Sequence, residues 1–253
     1  MVVEEVVGTV NVQFLGSGDA FGSGGRLQTC IYVDGGTTRF LLDCGASSLI
    51  AMKRWGVDPS LIDIILLTHL HGDHFGGLPF FLLDAQLVSG RTRPLEVAGP
   101  PGLESRIWDA MEVLFPGSSR VQQKFSLDFV ELAEGNVARI GPLAVTPLGV
   151  IHASGAPPYA LRVEVGGKII GYSGDTEWTD ALIRAAEGAD LFICEAYFFE
   201  KRIRYHLDYR SLVAHRGELG CRRLVLTHMS SDMLGRIESL DVECAEDGKC
   251  IVL

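Results

Sequence analysis

Residues Thr68 to Phe80 read THLHGDHFGGLPF and follow the apolar run LIDIILL. Three histidines and an aspartate, His69, His71, Asp73 and His74, are packed into six positions directly after what reads as a buried strand. They therefore fall at a strand's carboxyl end and in the loop behind it, where functional sites gather. Alternation along the chain puts His69 and His71 on one face. Neutral imidazoles and carboxylates are ligands for borderline metals such as zinc, and two overlapping ligand sets could hold two ions. A solvated polar loop is the plainer account, but ligand-type residues this dense argue against it.

Strands and helices interleave around this cluster. VNVQFLG, TCIYVDGGTTRFLLDCG and DIILLTH read as successive strands, the middle one turning back at DGG. GLPFFLLDAQLVSG and PGLESRIWDAMEVLF have helical spacing on either side of a strand PLEVAG. LAVTPLGVIHA, YALRVEVGGKIIGYSGD, ADLFICEAYF and CRRLVLTHMS read as strands. TDALIRAAEG and DYRSLVAHRGELG read as helices, the second placing His215 in mid-helix and in solvent. Such interleaving predicts a layered α/β arrangement. No repeat, low-complexity tract or long linker divides the 253 residues, so one domain over 1–253 is expected.

Composition narrows the function classes. With 47% hydrophobic and 21% charged residues, and no run of about eighteen apolar ones, a membrane span is not expected. The start, MVVEEVVGTVNVQF, has acids where a signal peptide needs basic residues and reads as strand, which points to the cytoplasm. The six cysteines form no CxxC pair and read as reduced thiols. A bridge from Cys244 to Cys250 across a hairpin turn at EDGK would hold its sulfurs out of register. A formal charge of -10 disfavours a general nucleic-acid surface and leaves room only for a local basic patch.

Further ligand-type residues lie downstream, each at the end of an apolar run: His152 in GVIHASG, Asp175 in YSGDTEW and His228 in LVLTHMS. Singly, the histidines read as hydrogen-bonded structural residues and Asp175 as a turn cap. Together with HxHxDH, and with Asp43 in FLLDCG upstream, they resemble the ordered motifs of the metallo-β-lactamase fold superfamily. The resemblance runs along nearly the whole chain. It implies an α/β fold, a four-layer αββα sandwich of mixed sheets and outer helices with the site at one edge of the sheets. It also implies that His69, His71 and His152 hold one metal and Asp73, His74 and His228 a second, with Asp175 shared. Asp43 would support the site without ligating. Two divalent ions, zinc first, with manganese or iron as alternatives, would lower the pKa of a water between them and stabilise charge on attacking and leaving oxygens. His71 stands where oxygen-reducing di-iron members carry an acid, so the resemblance implies hydrolysis rather than redox chemistry.

Within the superfamily the chain resembles ribonuclease Z and its smaller phosphodiesterase relatives. VQFLGSGDAFGSGGR, with the loop Gly16 to Arg26, is similar to that group's Gly-rich opening loop, although ordinary turns also use Gly and Ser. Glu195 in ADLFICEAYF would stand behind the site, and His206 in YHLDYRS would protonate the leaving oxygen; a surface acid and a helix-capping histidine are the plainer roles. Catalytic roles are thus implied for Asp43, Asp73, Glu195 and His206. Ribonuclease Z inserts a long arm between its third and fourth motifs, whereas here 22 residues separate His152 from Asp175. The cysteine-rich zinc segment of the phosphonate-pathway cyclic phosphodiesterase is also missing, with Cys30 alone in GSGGRLQTC.

The expectation is a dinuclear hydrolase of a small or cyclic phosphodiester, not of extended nucleic acid, with a homodimer suggested by the resemblance. A lactonase or other small-ester hydrolase is the rival, followed by a tRNA 3'-processing endonuclease. A non-catalytic metal- or nucleotide-binding module is weaker still, because all seven ligand positions are filled. A β-lactamase would carry an export signal, and a glyoxalase-type thioesterase a longer tail than the 25 residues after His228.

Overall fold

The computed structural model describes residues 8–253; the acid-rich start, Met1 to Val7, lies outside them. The strand Ile64–Leu66 shows how the apolar runs determine the architecture. Ile64 and Leu66 enter one buried cluster, while Ile65 and Leu67 enter another on the opposite face. A strand apolar on both faces needs cover on both sides.

That cover comes from two seven-stranded sheets and the helices outside them. The first sheet contains β1 (Asn11–Gly16), β2 (Cys30–Asp34), β3 (Arg39–Leu42), β4 (Ile64–Leu66), β5 (Leu95–Gly99) and β6 (Leu127–Glu131). The second contains β7 (Ala138–Ile140), β8 (Leu143–Gly149), β9 (Tyr159–Val165), β10 (Lys168–Tyr172), β11 (Leu191–Glu195), β12 (Leu224–Thr227) and β13 (Glu243–Cys244). The last strand, β14 (Cys250–Val252), returns to the first sheet, whose order is β14-β1-β2-β3-β4-β5-β6. The second sheet is ordered β13-β12-β11-β10-β9-β8-β7. Each is antiparallel through one half and parallel through the other, β3 to β6 and β10 to β13.

Three apolar clusters make four layers. Phe14, Ile31, Phe40 and Leu66 meet Val163, Ile170 and Ile193 between the sheets. Outside the first sheet, Leu41, Ile65 and Val97 pack on α1 (Ser48–Trp55), α3 (Leu78–Leu87) and α4 (Leu103–Leu114). The one-turn helix α2 (Gly72–Phe75) joins this layer through Phe75. Outside the second sheet, Phe192 and Leu226 pack on α5 (Ala181–Ala186), α6 (Tyr209–Ala214) and α7 (Ser231–Leu234). α4 earns its place by spacing: Leu103, Ile107 and Met111 fall on one face and are all buried. The expected αββα sandwich of mixed sheets is therefore the fold.

Three expectations need correction. Cys244 and Cys250 do not flank a hairpin, because β13 pairs with β12 while β14 pairs with β1, and both thiols are free. The helix in DYRSLVAHRGELG stops at Ala214, and His215 ends it rather than lying inside it. Its ring is not merely solvated but stacks on Trp178 at 4.1 Å and bonds Glu218, which draws it out of helical register. Finally, β4 ends at Leu66, so strand alternation does not align His69 with His71. Among the described residues no helix is long and apolar enough to cross a membrane.

Candidate metal centre

The candidate residues sit on loops at one edge of the sandwich, after β3 (Asp43), β4 (His69 to His74), β8 (His152), β10 (Asp175) and β12 (His228). Backbone hydrogen bonds stitch the two sheets together here: Tyr159 N donates to Thr68 O at 3.0 Å and His228 N to Ser17 O at 3.2 Å. His71 takes the position before α2, and that single turn brings Asp73 and His74 round beneath it.

The seven candidate ligands fall into two adjoining groups. His69, His71 and His152 form the first, with His152 Nε2 3.0 Å from His71 Nδ1. Asp73, His74, Asp175 and His228 form the second. Asp175 stands between them: Oδ2 lies 3.9 Å from both His69 Nε2 and His152 Nε2, while Oδ1 lies 3.3 Å from His74 Nε2. His228 Nε2 closes the second group, 3.2 Å from Asp73 Oδ2 and 3.5 Å from Asp175 Oδ2.

The rings are aimed by partners behind them. His74 donates Nδ1–H to Asp43 Oδ2 at 2.7 Å, which leaves Nε2 toward the acids. Thr68 Oγ1 donates to Asp43, so its oxygen accepts Nδ1–H of His69 at 3.0 Å. His152 donates Nδ1–H to the Tyr205 carbonyl at 2.8 Å. Asp43, fully buried, also accepts from the Thr68 amide and the Tyr172 hydroxyl, so its lone pairs are taken up by protein donors. Asp43, Tyr205 and His228 are the non-glycine residues with positive φ among those described, at 59°, 74° and 56°. Left-handed backbone in such residues is strained, and here it clusters at the site.

Electrostatics fit a cation. Burial and the neighbouring His74 hold the His69 pKa well below the histidine range, and burial lowers His152, so both rings present lone pairs. Burial opposes ionisation of Asp73 and Asp175, but the surrounding histidines outweigh it and keep both carboxylates charged. Burial likewise disfavours charge on His74 and His228, yet the acids raise both. The positive charge these carboxylates draw onto imidazole is what a divalent ion would supply instead. Among the described residues, His69 Nε2, His74 Nε2 and Asp175 Oδ1 are buried without a hydrogen-bond partner. Orphaned ligand atoms gathered this closely suit a dinuclear metal site.

A third group overlaps the second: Asp175, Glu195, His206 and His228. Glu195 is fully buried at the end of β11, where Oε1 accepts from Thr176 N and Oε2 accepts Nδ1–H of His206 at 3.1 Å. Burial works against a charged His206, but Glu195 and Asp175 prevail and raise its pKa to about 9.

The sequence profile of a family described as Anti-Pycsar protein Apyc1 matches residues 10–243. The chain belongs to that Apyc1 family. A ribonuclease Z from Geobacillus kaustophilus is 30% identical over 249 aligned positions, spanning 78% of this chain and 79% of the relative. Human short-form tRNase Z superimposes with a TM-score of 0.76 at 26% identity, over 95% of this chain and 98% of that one. The metallo-β-lactamase fold protein YhfI from Bacillus subtilis gives 0.77 at 22% identity, over 97% and 99%, a likeness of fold. The Apyc1-family chain is thus a metal-dependent hydrolase of the metallo-β-lactamase fold, in its ribonuclease Z-like branch.

In this Apyc1-family chain close packing accounts for Gly16, Gly18 and Gly24 of the Gly16 to Arg26 loop, whereas Gly22 and Gly25 take positive φ without crowding. A Cβ at Gly16 would lie 2.0 Å from the Gln28 carbonyl oxygen, where β1 bulges against β2. Sequence reasoning passed over Thr68, Tyr172 and Tyr205, which orient the rings. Thr68, adjoining the motif, was the one with a local signal; the other two act across 129 residues to Asp43 and 53 residues to His152.

Proposed function

We propose that this chain is a phosphodiesterase acting on a small or cyclic phosphodiester. His69, His71 and His152 would hold one divalent ion, Asp73, His74 and His228 a second, and Asp175 would bridge. Zinc is the proposed metal, with manganese or iron accepted by the same donors. When bound, the ions would provide an ionised water near neutral pH and offset charge on the phosphate oxygens.

His206 carries the reading. Its side chain is 21% exposed and lines a cavity of about 210 Å³ together with Asp73, Asp175 and His228. With Nδ1 committed to Glu195, Nε2–H is the proton left to face a leaving oxygen. Asp175, 3.9 Å away, and Glu195 keep that proton in place near neutral pH. The ribonuclease named among the relatives acts on RNA, itself a phosphodiester. The small cavity, and the β9–β10 hairpin that occupies most of the interval from His152 to Asp175, support a small substrate over extended nucleic acid. The proposal takes residues 1–253 as one hydrolase unit, homodimeric and cytoplasmic.

The test assays bis(4-nitrophenyl) phosphate, a chromogenic lactone and a precursor tRNA side by side, with metal analysis. Phosphodiester hydrolysis should dominate, disappear on chelation, return with added metal, and fall at least a hundredfold in Asp175→Asn. Strong lactone turnover without phosphodiester cleavage would overturn the proposal.

A further inference from the structure

The turn EDGK, Glu246 to Lys249, carries the chain from β13 in one sheet to β14 in the other. Before it, Ala245 N donates to Leu226 O of β12 at 2.7 Å. Within it, Gly248 N donates to Phe14 O of β1 at 2.7 Å, and Lys249 O accepts from Phe14 N at 2.9 Å. Gly248, at φ +90°, leaves no room for a Cβ against the Trp55 ring of α1. The turn is thus seated on both sheets and holds the Asp247 carboxylate at the seam between them.

That carboxylate closes the base of the Gly16 to Arg26 loop. Oδ1 accepts from the Ser17 amide and the Ser17 hydroxyl, both at 2.9 Å, and Oδ2 accepts from the Leu27 amide at 2.8 Å. Charge-assisted bonds of this kind are stronger than neutral ones. Arg26 Nη1 adds a second tie, donating to Ser17 Oγ at 3.2 Å and to Ala245 O at 2.6 Å. Ser17, held in this way and fully buried, offers its carbonyl to His228 N at 3.2 Å and Thr227 Oγ1 at 3.3 Å.

His228 depends on its backbone more than other candidate ligands do. Nδ1 of His69, His74 and His152 is bonded to Thr68, Asp43 and Tyr205 in turn, whereas His228 Nδ1 is buried with no hydrogen-bond partner among the described residues. Its φ of 56° persists only where the surroundings enforce it.

We infer that Asp247 is a positioning residue for His228: through Ser17 it fixes the backbone that aims Nε2 at Asp73 and Asp175, and so supports the second of the two metal sites. This rests on the ligand assignment of the proposed function.

The test titrates zinc into metal-free protein by calorimetry, against a competing chelator. Wild-type protein should take up two equivalents. Asp247→Ala should weaken one of them about 10- to 100-fold, as loss of a partner behind a metal ligand does, and leave the equivalent held by His69, His71 and His152 unchanged. Asp247→Asn still accepts from Ser17 but not from Leu27, so it should show the same selectivity with a smaller loss, and it carries the test if the alanine variant does not fold. Glu243→Gln is the control, since it breaks ion pairs to Arg223 and Lys249 in the same segment without reaching Ser17. It should keep both equivalents at wild-type affinity. No loss, equal loss of both equivalents, or the same selective loss in Glu243→Gln overturns the inference. Metal uptake is read without turnover, so a selective loss in a protein that hydrolyses no phosphodiester would overturn the proposed function and leave the positioning role standing.

Discussion

Glu195 and His206 pair a buried acid with a histidine that reaches the candidate site. Glu195 is sealed behind the cavity, while His206, 21% exposed, reaches it, and the 3.1 Å hydrogen bond between them both orients the ring and keeps it protonated. A proton donor matters most when the leaving group is a strong base. His206→Gln should therefore lower kcat/KM about 10²- to 10⁴-fold for a diester with a nucleoside hydroxyl leaving, and far less for 4-nitrophenolate. Equal losses on the two substrates would reduce His206 to a positioning residue. Neither residue could be told from a surface acid or a capping histidine by local spacing. The resemblance to ribonuclease Z singled them out, and the structure brought them together.

Elements are held in place here by a residue with no signal in the sequence. Arg91, 2% exposed, lies between α3 and β5, and its guanidinium donates to the carbonyls of Pro59, Ser60, Ile62, Arg93 and Pro94. It thereby fastens the turns that enter β4 and β5, and β4 leads directly to His69. Arg91→Met strands these buried acceptors and should cost on the order of 3 kcal/mol, read from the denaturant midpoint. Arg91→Lys should recover little, because an ammonium cannot serve so many carbonyls at once. α3 and α4 were legible because a buried helix face repeats within the chain. β6 and β7 were not: both are outermost strands, β6 exposes much of its length, and β7 is three residues long. The ends of α6 and the pairing of β13 and β14 were also hidden, since Trp178 and β1 are distant in sequence.

The whole chain carries a formal charge of -10, which would repel an anionic substrate. The segment beside His206 runs against this balance. Lys201, Arg202, Arg204 and Arg210 are exposed there, joined by Arg236, and several rest on aromatic rings: Arg210 and Arg236 lie 4.8 Å and 4.7 Å from the Phe199 centroid. A local basic rim of this kind steers anions, and salt weakens it. Raising ionic strength from about 0.01 to 0.15 M shortens the Debye length from about 30 to 8 Å. kcat/KM for a phosphodiester should fall across that range, and Lys201→Ala with Arg204→Ala should flatten the dependence while leaving kcat near wild type. A salt response unchanged by these variants would mean the rim does no steering.

The sequence by itself determined the layered fold and the chemistry of the centre. Ligand types, their order and their position after apolar runs are local properties, and buried strands of a two-sheet sandwich must read as such runs. Only the tertiary structure decided which atoms meet. His71 and His152 come within 3.0 Å across 81 residues, Tyr172 reaches Asp43 across 129, and Phe21 lines the same cavity as His228. Those meetings depend on strand register and on how one sheet lies over the other, and neither is set by the spacing of residues along a single strand.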